Sequence, residues 1–373
     1  MFHNYKFKNL DIKLIIAVIA LTIIGIFVIG SANESNQQKQ IIGMILGVIV
    51  MGTMALVDYD FILHFHWIYY GLVNALLLSV FLLGNGPTNG SRRWIGISII
   101  RFQPSELSKI LLILFFAWFF TMHEDDINKP KIIALTMFLS AIPLLLIIKE
   151  PDLSTTVVTM MIICVMMFVV GLSYKLVGIV LGVSVPSAAL FLFLVSREGQ
   201  TILKEYQGKR IMAWLKPDQY PESSWQQQNS IMAIGSGQFF GKGLGNNAVD
   251  SVKNGNYIAE PHTDFIFAVA GEELGFVGSV LIIALVFFIA IEILLIARRA
   301  KDIAGKLICI GMATLIGFQS FVNICVVTGL MPNTGIPLPF VSYGLTSLVT
   351  IYFGVGIVLN VGLQSKNING RLF

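Results

Sequence analysis

Long apolar runs alternate with short polar segments along almost the whole chain. A helix that crosses a membrane needs about 20 consecutive residues that are mostly apolar. Runs of this kind predict about ten helices, at residues 12–31, 40–57, 65–84, 105–122, 131–148, 153–171, 175–196, 263–296, 305–329 and 340–363. A membrane β-barrel would show short segments of alternating hydrophobicity instead. The pattern therefore predicts an all-α bundle of about ten transmembrane helices.

The composition supports this assignment. The 373 residues are 55% hydrophobic and 12% charged, whereas soluble domains carry about 25% charged residues. So few charges cannot cover a water-facing surface, which indicates an integral membrane protein with a single domain over residues 1–373. The first apolar run is longer than the core of a usual signal peptide, so we expect it to stay in the protein as a span.

Positive residues indicate how the bundle lies in the membrane. An even number of spans places both termini on one side. The tails and the 297–304 loop, which lie on that side, carry Lys6, Lys8, Arg298, Arg299, Lys301, Lys366 and Arg371. Cytoplasmic loops are enriched in Lys and Arg, so we expect both termini to be cytoplasmic. The polar segments 85–104 and 197–262 then face outside, and Arg92, Arg93 and Arg101 are exceptions that a functional demand would explain.

Residues 197–262 form the one long hydrophilic stretch between predicted spans. Loops longer than about 15 residues are usually functional or disordered. This one contains Trp214, Trp225 and several apolar residues. We therefore predict a partly ordered extracytoplasmic loop with short helices at the membrane surface.

The segment RFQPSELSK, residues 101–109, reads as the start of a helix. Pro104 suits the first helical position, and Glu106 suits the first turn beside the helix dipole. Glu106 and Lys109 share a face, so one interpretation is a capped helix with an internal salt bridge. A lysine just inside the membrane also marks functional sites.

Two further polar segments allow a structural and a functional interpretation. In GSRRWI, residues 90–95, the arginines suit phosphate binding, but arginines beside a tryptophan also anchor a helix end at the membrane surface. In KEPD, residues 149–152, two acids and a lysine lie in a tight turn, where polar residues are ordinary.

The segment EPHTDFIFAVAGEELGFVG, residues 260–278, combines a predicted helix with Asp264 and several other ionisable groups. On a continuous helix, Asp264 would lie one turn in, with Glu272 about 80° to the side and Glu273 nearly opposite. We expect Glu272 to support the face of Asp264. A carboxylate at a membrane boundary is costly unless water or a cation reaches it, so Asp264 is our candidate general base with a raised pKa.

Several segments together resemble the SEDS family of polytopic bacterial membrane proteins, of the RodA, FtsW and SpoVE type. The matching segments run in family order and are RRWI (92–95), QPSELSK (103–109), EPDLST (150–155), KRIMAWLKP (209–217), NSIMAIGSG (229–237), GKGLG (241–245), EPHTDFIFAVAGEELG (260–275) and GIPLPFVSYG (335–344). The family often has other residues at Asn229, Gln238 and 344–347. These departures leave the subfamily open, and the short termini lean towards the RodA type.

The resemblance implies a peptidoglycan glycosyltransferase of the bacterial cytoplasmic membrane. Such enzymes polymerise lipid II, a disaccharide-pentapeptide on undecaprenyl diphosphate, at the outer face of that membrane. They work with a class B penicillin-binding protein, a transpeptidase that crosslinks the strands. The family's essential acid matches Asp264. Whether this chain would serve elongation, division or sporulation stays open.

The residue chemistry fits this reaction. A sugar hydroxyl is a poor nucleophile that needs a base, for which we choose Asp264. A lipid diphosphate leaving group needs cations, and our candidates are Arg93, Lys109 and Arg210. Glu106 would orient Lys109, and Asp152, His262 and Glu272 complete the predicted substrate-binding set. A divalent cation, Mg²⁺ or Mn²⁺, could share the charge, although the sequence offers no clear ligand set.

Two other functions are compatible with a polytopic membrane protein. A flippase for lipid-linked precursors would need a charged path into the cytoplasmic half and inverted repeats. The charged motifs instead gather on one side, and we detect no repeat. A scaffold that recruits the transpeptidase without activity of its own would not require Asp264.

Overall fold

The computed structural model describes residues 5–83, 93–97, 100–150, 152–195, 205–245, 251, 255 and 257–365. Within them the α-helices are α1 (Ile12–Ala32), α2 (Glu34–Leu56), α3 (Tyr59–His64), α4 (His66–Leu83), α5 (Pro104–Met122), α6 (Pro130–Lys149), α7 (Leu153–Val170), α8 (Tyr174–Val195), α9 (Glu205–Leu215), α10 (Pro221–Ser236), α11 (Ile266–Arg299), α12 (Ile303–Val327) and α13 (Leu345–Leu363). Strands β1 (Ile95–Ile97) and β2 (Ile100–Phe102) form an antiparallel hairpin that pairs Ile95 with Phe102.

The predicted polytopic all-α bundle is confirmed. In the described part of the chain, eight helices are long and apolar enough to cross a membrane: α1, α2, α5, α6, α7, α11, α12 and α13. Helices α4 and α8 occupy the two remaining predicted spans. Helices α9 and α10 confirm that the long loop contains short helices, while their place at the membrane surface stays a prediction.

Three helix starts differ from the sequence prediction, because hydropathy reports apolarity and not helical geometry. Helix α2 starts at Glu34 rather than residue 40, and the Asn33 side chain accepts a bond from Asn36 N–H there. Helix α13 starts at Leu345 rather than residue 340, since residues 335–344 are largely apolar but form a non-helical loop that contains two prolines. Helix α11 starts at Ile266 rather than residue 263.

Helix α5 lies at the centre of the bundle. It packs against α4, α7, α12 and α13, and almost every residue from Pro104 to Phe120 is buried. Phe115, Phe116 and Phe120 are fully buried in this core. A helix that is apolar all round suits this position, and it makes the buried Lys109 in its second turn conspicuous.

Helices α2 and α13 form a close pair along their length. A side chain at Gly47 of α2 would collide with the ring of Tyr352, and one at Gly356 of α13 would collide with the backbone of Met51. Small residues let membrane helices approach closely. This pair carries the polar residues of α2 to one wall of the cavity described below.

Helix α11 is interrupted at Gly275, whose φ of 67° and ψ of −160° are not helical. The preceding segment, residues 237–243, lies against this break and hydrogen-bonds to it through its backbone. The bonds are Lys242 N–H to Glu272 O at 3.0 Å, Gly243 N–H to Glu273 O at 3.0 Å, Phe276 N–H to Gln238 O at 2.8 Å and Val277 N–H to Phe239 O at 3.1 Å. The segment thus supplies partners for backbone groups that the interrupted helix leaves without them.

Candidate functional site

Two loops meet at one end of the bundle, and we call them the aspartate loop (residues 260–265) and the proline loop (residues 335–344). The carbonyl of Thr263 accepts a 2.7 Å bond from the Ser342 hydroxyl, and Tyr343 N–H donates to the His262 carbonyl at 2.9 Å. Asp264 therefore lies in a loop that a second loop holds in place. The prediction that Asp264 lies one turn into a continuous helix is wrong, because the helix starts at Ile266.

Both loops contain backbone conformations that side chains seldom adopt. Glu260 has φ of 51° and Phe340 has φ of 66°. Gly335 has φ of 68°, and a Cβ there would lie 3.0 Å from the Asp264 Oδ2 atom. Such strain persists where the surroundings enforce it, and it concentrates at functional sites.

The two loops border a cavity of about 780 Å³. Its ionisable lining residues are Lys39, Arg93, Arg210, Glu260, His262 and Asp264. Trp94, Gln103, Ser342, Tyr343 and Ser347 add aromatic and polar groups. The cavity thus brings together four predicted site residues from distant parts of the chain, namely Arg93, Arg210, His262 and Asp264. Its mixture of cations, acids and apolar walls is typical of a ligand site.

Asp264 has the electrostatics of a base. Its removal from water raises the pKa of its carboxyl to about 6, and Asp152 and Glu260 act in the same direction. The cations Arg93 and Arg210 oppose this rise. A carboxyl with a pKa of about 6 is mostly ionised at neutral pH, yet it is a stronger base than an ordinary aspartate. Burial also lowers the pKa of the neighbouring His262, against the effect of Glu260.

Arg93 and Asp152 come together beside the cavity. The Arg93 Nη1 atom lies 4.0 Å from the Asp152 Oδ2 atom, and the two side chains are 13% and 4% exposed. Asp152 also accepts bonds from the Gln103 amide at 3.3 Å and from Thr155 N–H at 3.1 Å, the latter as N-cap of α7. Asp152 is therefore a buried partner of Arg93 that is not itself in the cavity lining, and its predicted place in the substrate-binding set stays a prediction.

The predicted pair of Glu106 and Lys109 is confirmed, and it is completely buried. The Lys109 ammonium donates to Glu106 at 2.7 Å and to the Gln319 side-chain carbonyl at 2.7 Å. Glu106 also accepts a 3.1 Å bond from Ser347, which lines the cavity. Lys109 thus does not line the cavity. It is linked to the lining residue Ser347 through Glu106, which bonds to both.

Glu272 and Glu273 lie away from the cavity lining. Glu272 accepts a 2.8 Å bond from the Lys242 ammonium and a 3.3 Å bond from Ser251. Glu273 accepts a 2.5 Å bond from the Ser31 hydroxyl of α1. The expectation that Glu272 supports the face of Asp264 is therefore wrong, because Glu272 ties α11 to Lys242 and Ser251, while Glu273 ties α11 to α1.

Sequence reasoning missed several residues that build the site. Gln40 of α2 bonds to the Ser342 carbonyl at 3.1 Å and to Gly344 N–H at 3.2 Å. Lys39 lies beside it in the cavity wall. On α12, the Asn323 side chain donates to a carbonyl in each of the two loops. The Gln319 side chain donates to a carbonyl of the proline loop. Polar residues within apolar runs mark helix contacts or functional sites, and that signal could have identified Asn323 and Gln319. Arg92, Lys366 and Arg371, and the side chain of Arg101, lie outside the described residues.

Comparison with known proteins agrees with this geometry. The family described as cell cycle protein, FtsW/RodA/SpoVE, matches residues 9–367. The chain is 33% identical over 390 residues to the probable peptidoglycan glycosyltransferase FtsW of Trichlorobacter lovleyi, covering 98% of this chain and 97% of the relative. It is 32% identical over 366 residues to the peptidoglycan glycosyltransferase MrdB of Escherichia coli K12, covering 96% and 95%.

Solved structures show the same fold. A peptidoglycan synthase complex that coordinates polymerization and crosslinking contains a chain with a TM-score of 0.77 and 29% identity, covering 94% of this chain and 97% of that one. RodA of Thermus thermophilus, a rod shape determining protein, has a TM-score of 0.68 and 26% identity, covering 94% and 96%. The fold and the curated relatives thus define a polytopic membrane glycosyltransferase. The chain belongs to the FtsW/RodA/SpoVE family.

Proposed function

We propose that this peptidoglycan glycosyltransferase polymerises lipid II in the cavity, with Asp264 as the general base. One observation carries the proposal. A carboxyl whose pKa is raised to about 6 lies in the wall of a cavity that Arg93 and Arg210 also line. A base and a pair of phosphate-binding cations in one cavity are what transfer of a sugar from a lipid diphosphate requires.

The proposed reaction joins two sugars in one displacement. The acceptor hydroxyl gives its proton to the Asp264 carboxylate as its oxygen bonds to the anomeric carbon of the donor sugar. The bond between that carbon and the diphosphate oxygen breaks, and the lipid diphosphate leaves with the electron pair. A base of pKa about 6 suits this step because it is ionised at neutral pH and still accepts a proton readily.

Arg93 and Arg210 would stabilise the charge that develops on the departing diphosphate. Both line the cavity with Asp264, and a guanidinium binds phosphate oxygens through two parallel hydrogen bonds. Lys109 has a supporting role in this scheme, because it is 1% exposed and bonded to Glu106 and Gln319. Lys39 of α2 adds a third cation to the cavity lining.

The divalent cation stays a prediction. Among the described residues, no group of three or more His, Cys, Asp or Glu side chains is arranged to hold a metal ion. The protein part of the site therefore does not fit a resident metal. Mg²⁺ that acts with phosphorylated substrates takes many of its ligands from phosphate oxygens and water. Comparing polymerisation in EDTA with polymerisation in added Mg²⁺ or Mn²⁺ tests the requirement.

We also propose that the cavity faces outside, that both termini are cytoplasmic, and that a class B penicillin-binding protein is the partner. The positive residues of the tails and of the 297–304 loop support this orientation. The likeness to a chain of a peptidoglycan synthase complex supports a crosslinking partner. Labelling single cysteines introduced near residue 218 and near residue 302 of intact cells tests the orientation.

The central experiment compares wild type with Asp264→Asn, each purified with its cognate transpeptidase and given lipid II. A β-lactam keeps the strands uncrosslinked, and a gel shows their length. We expect polymer from wild type and none from Asp264→Asn. Asp218→Asn is the matched control, because Asp218 is an exposed carboxylate outside the cavity lining, and it should polymerise like wild type.

The other outcomes discriminate between the alternatives. Equal polymer from wild type and Asp264→Asn would remove Asp264 from the mechanism. No polymer from any of the three, with intact complexes, would favour a flippase or a scaffold. A lipid-translocation assay in vesicles would then separate those two functions, because only a flippase moves the precursor across the bilayer.

A further inference from the structure

Glu150 is a buried acid for which the proposed reaction has no role. Glu150 directly follows α6 and is 1% exposed. Its backbone N–H donates to the carbonyls of Leu146 and Ile147. Neither oxygen of its carboxyl group has a hydrogen-bond partner among the described residues. Burying an unpaired carboxylate is so costly that such a group normally takes up a proton instead.

The charged groups that face Glu150 are Arg93 and Asp152. Arg93 comes from the segment before β1 and donates through its Nε atom to the Glu150 backbone carbonyl at 3.3 Å. Asp152 comes from the start of α7, and its Oδ2 atom lies 4.0 Å from the Arg93 Nη1 atom. Arg93 lines the cavity, whereas Glu150 does not. The Arg93 guanidinium therefore has the cavity on one side and two acids on the other.

We propose that Glu150 is a positioning residue whose neutral form leaves the Arg93 cation directed at the cavity, and whose ionisation draws Arg93 away from the substrate diphosphate. The proposal rests on the proposed function, since Arg93 acts on substrate only if the cavity binds the lipid diphosphate. A neutral acid competes weakly for a guanidinium, while an ionised one with two unsatisfied oxygens is a strong bidentate partner. Asp152 competes less, because Gln103 and Thr155 already donate to it.

The direction of the pKa shift agrees with this arrangement. Burial raises the pKa of Glu150 to about 8, the Asp152 charge adds to the rise, and Arg93 opposes it. Glu150 is therefore mostly neutral at neutral pH and ionises as the pH passes about 8. Asp264 ionises at about 6. Between these two values the base is charged while the positioning acid is neutral, which predicts a bell-shaped dependence of turnover on pH.

The test uses the full chain with its cognate transpeptidase, and measures lipid II polymerisation from about pH 5 to about pH 10. Glu150→Gln keeps the shape of the side chain and cannot ionise. We expect wild-type kcat/KM to fall above pH 8, mainly through a higher KM for lipid II, because Arg93 binds the diphosphate. Glu150→Gln should keep the turnover at neutral pH within about twofold and lose the alkaline fall, with an unchanged acid limb. Glu222→Gln, which changes an exposed glutamate, is the matched control and should behave like wild type.

A second variant separates positioning from a general structural effect. If Glu150 acts through Arg93, then Arg93→Gln should also lose the alkaline fall, and the double variant should behave like Arg93→Gln alone. Retention of the wild-type alkaline fall by Glu150→Gln would overturn the proposal, as would a wild-type profile that stays flat up to about pH 10. A Glu150→Gln protein that is folded but inactive at every pH would also overturn it. Failure of the proposed function would be different, because wild type itself would then make no polymer at any pH.

Discussion

The side-chain amide of Asn323 donates to the backbone carbonyl of Asp264 at 2.8 Å and to that of Ile336 at 2.6 Å. One side chain on α12 thereby bonds to both the aspartate loop and the proline loop and holds them together. Asn323 is 1% exposed, so water cannot replace these bonds. The position of the Asp264 carboxyl depends on this buried amide as well as on its own backbone.

Asn323→Asp should lower kcat for polymerisation at least tenfold while the chain stays folded. A carboxylate of the same shape cannot donate to the two carbonyls, and misplacing a catalytic group by about 1 Å costs about 100-fold in rate. Polymerisation assays and thermal unfolding in detergent measure the two effects. Asn229→Asp is the matched control, because Asn229 also donates from a buried site to a backbone carbonyl, that of Tyr257, which lies outside the aspartate and proline loops. Equal losses in both variants would contradict the role of Asn323.

Polymerisation should fall as the pH is lowered through about 6. Burial raises the pKa of Asp264 to about 6, and the base works in its deprotonated form. The active fraction is therefore complete well above that pKa and is lost below it, by about tenfold per pH unit. The dependence of kcat/KM on pH measures this limb. A limb near pH 4, where an ordinary aspartate titrates, would show that the cavity does not shift the pKa.

Lys109→Met should destabilise the bundle by about 3–5 kcal/mol, because it leaves Glu106 as a buried charge without its cation. The double variant Lys109→Met with Glu106→Gln should recover much of that loss, since no charge then stays buried. Thermal unfolding of the single and double variants measures the coupling.

The chain provides a matched control for this experiment. Lys129 and Asp126 form an i,i+3 pair of similar length, at 2.6 Å, but their side chains are 65% and 44% exposed. Lys129→Met should cost less than about 1 kcal/mol. If Lys109→Met and Lys129→Met changed stability equally, burial of the first pair would not be important for the fold.

Gly241→Ala should loosen the segment that covers the break in α11. Gly241 has φ of 78°, and a Cβ there would lie 2.1 Å from the Glu273 carbonyl oxygen. We expect a loss of about 1–3 kcal/mol in local stability. Amide hydrogen exchange over residues 237–245 and 272–277 measures it. Gly235→Ala is the control, because Gly235 lies in α10 with open space around it, and alanine should not weaken that helix.

The sequence predicts the bundle well because the membrane imposes a simple rule. Spans must be apolar and about 20 residues long, so the helices follow from hydropathy. The Glu106–Lys109 pair is predictable for a similar reason, since both residues lie on one helix face at a fixed spacing. Both the spans and this pair are therefore set by residues that are close together in the sequence.

The cavity is less predictable because it depends on contacts between distant segments and on irregular backbone. Asp264 is the predicted base, but its place in a loop differs from the prediction, because helical periodicity assumes a helix that starts at residue 263. The assignment of Glu272 to the same face failed for the same reason. Lys242, its partner, is 30 residues away in a glycine-rich segment whose backbone conformation hydropathy does not report.

The interruption at Gly275 also constrains how the chain enters the membrane during synthesis. An open break in a helix would expose backbone groups to lipid, where each unsatisfied group costs several kcal/mol. The residues that satisfy them, 237–243, precede α11 in the chain, so the ribosome makes them before the helix that needs them. Stable insertion of α11 therefore depends on a segment that is already made, and a chain in which that segment is delayed would leave the backbone around Gly275 without these partners.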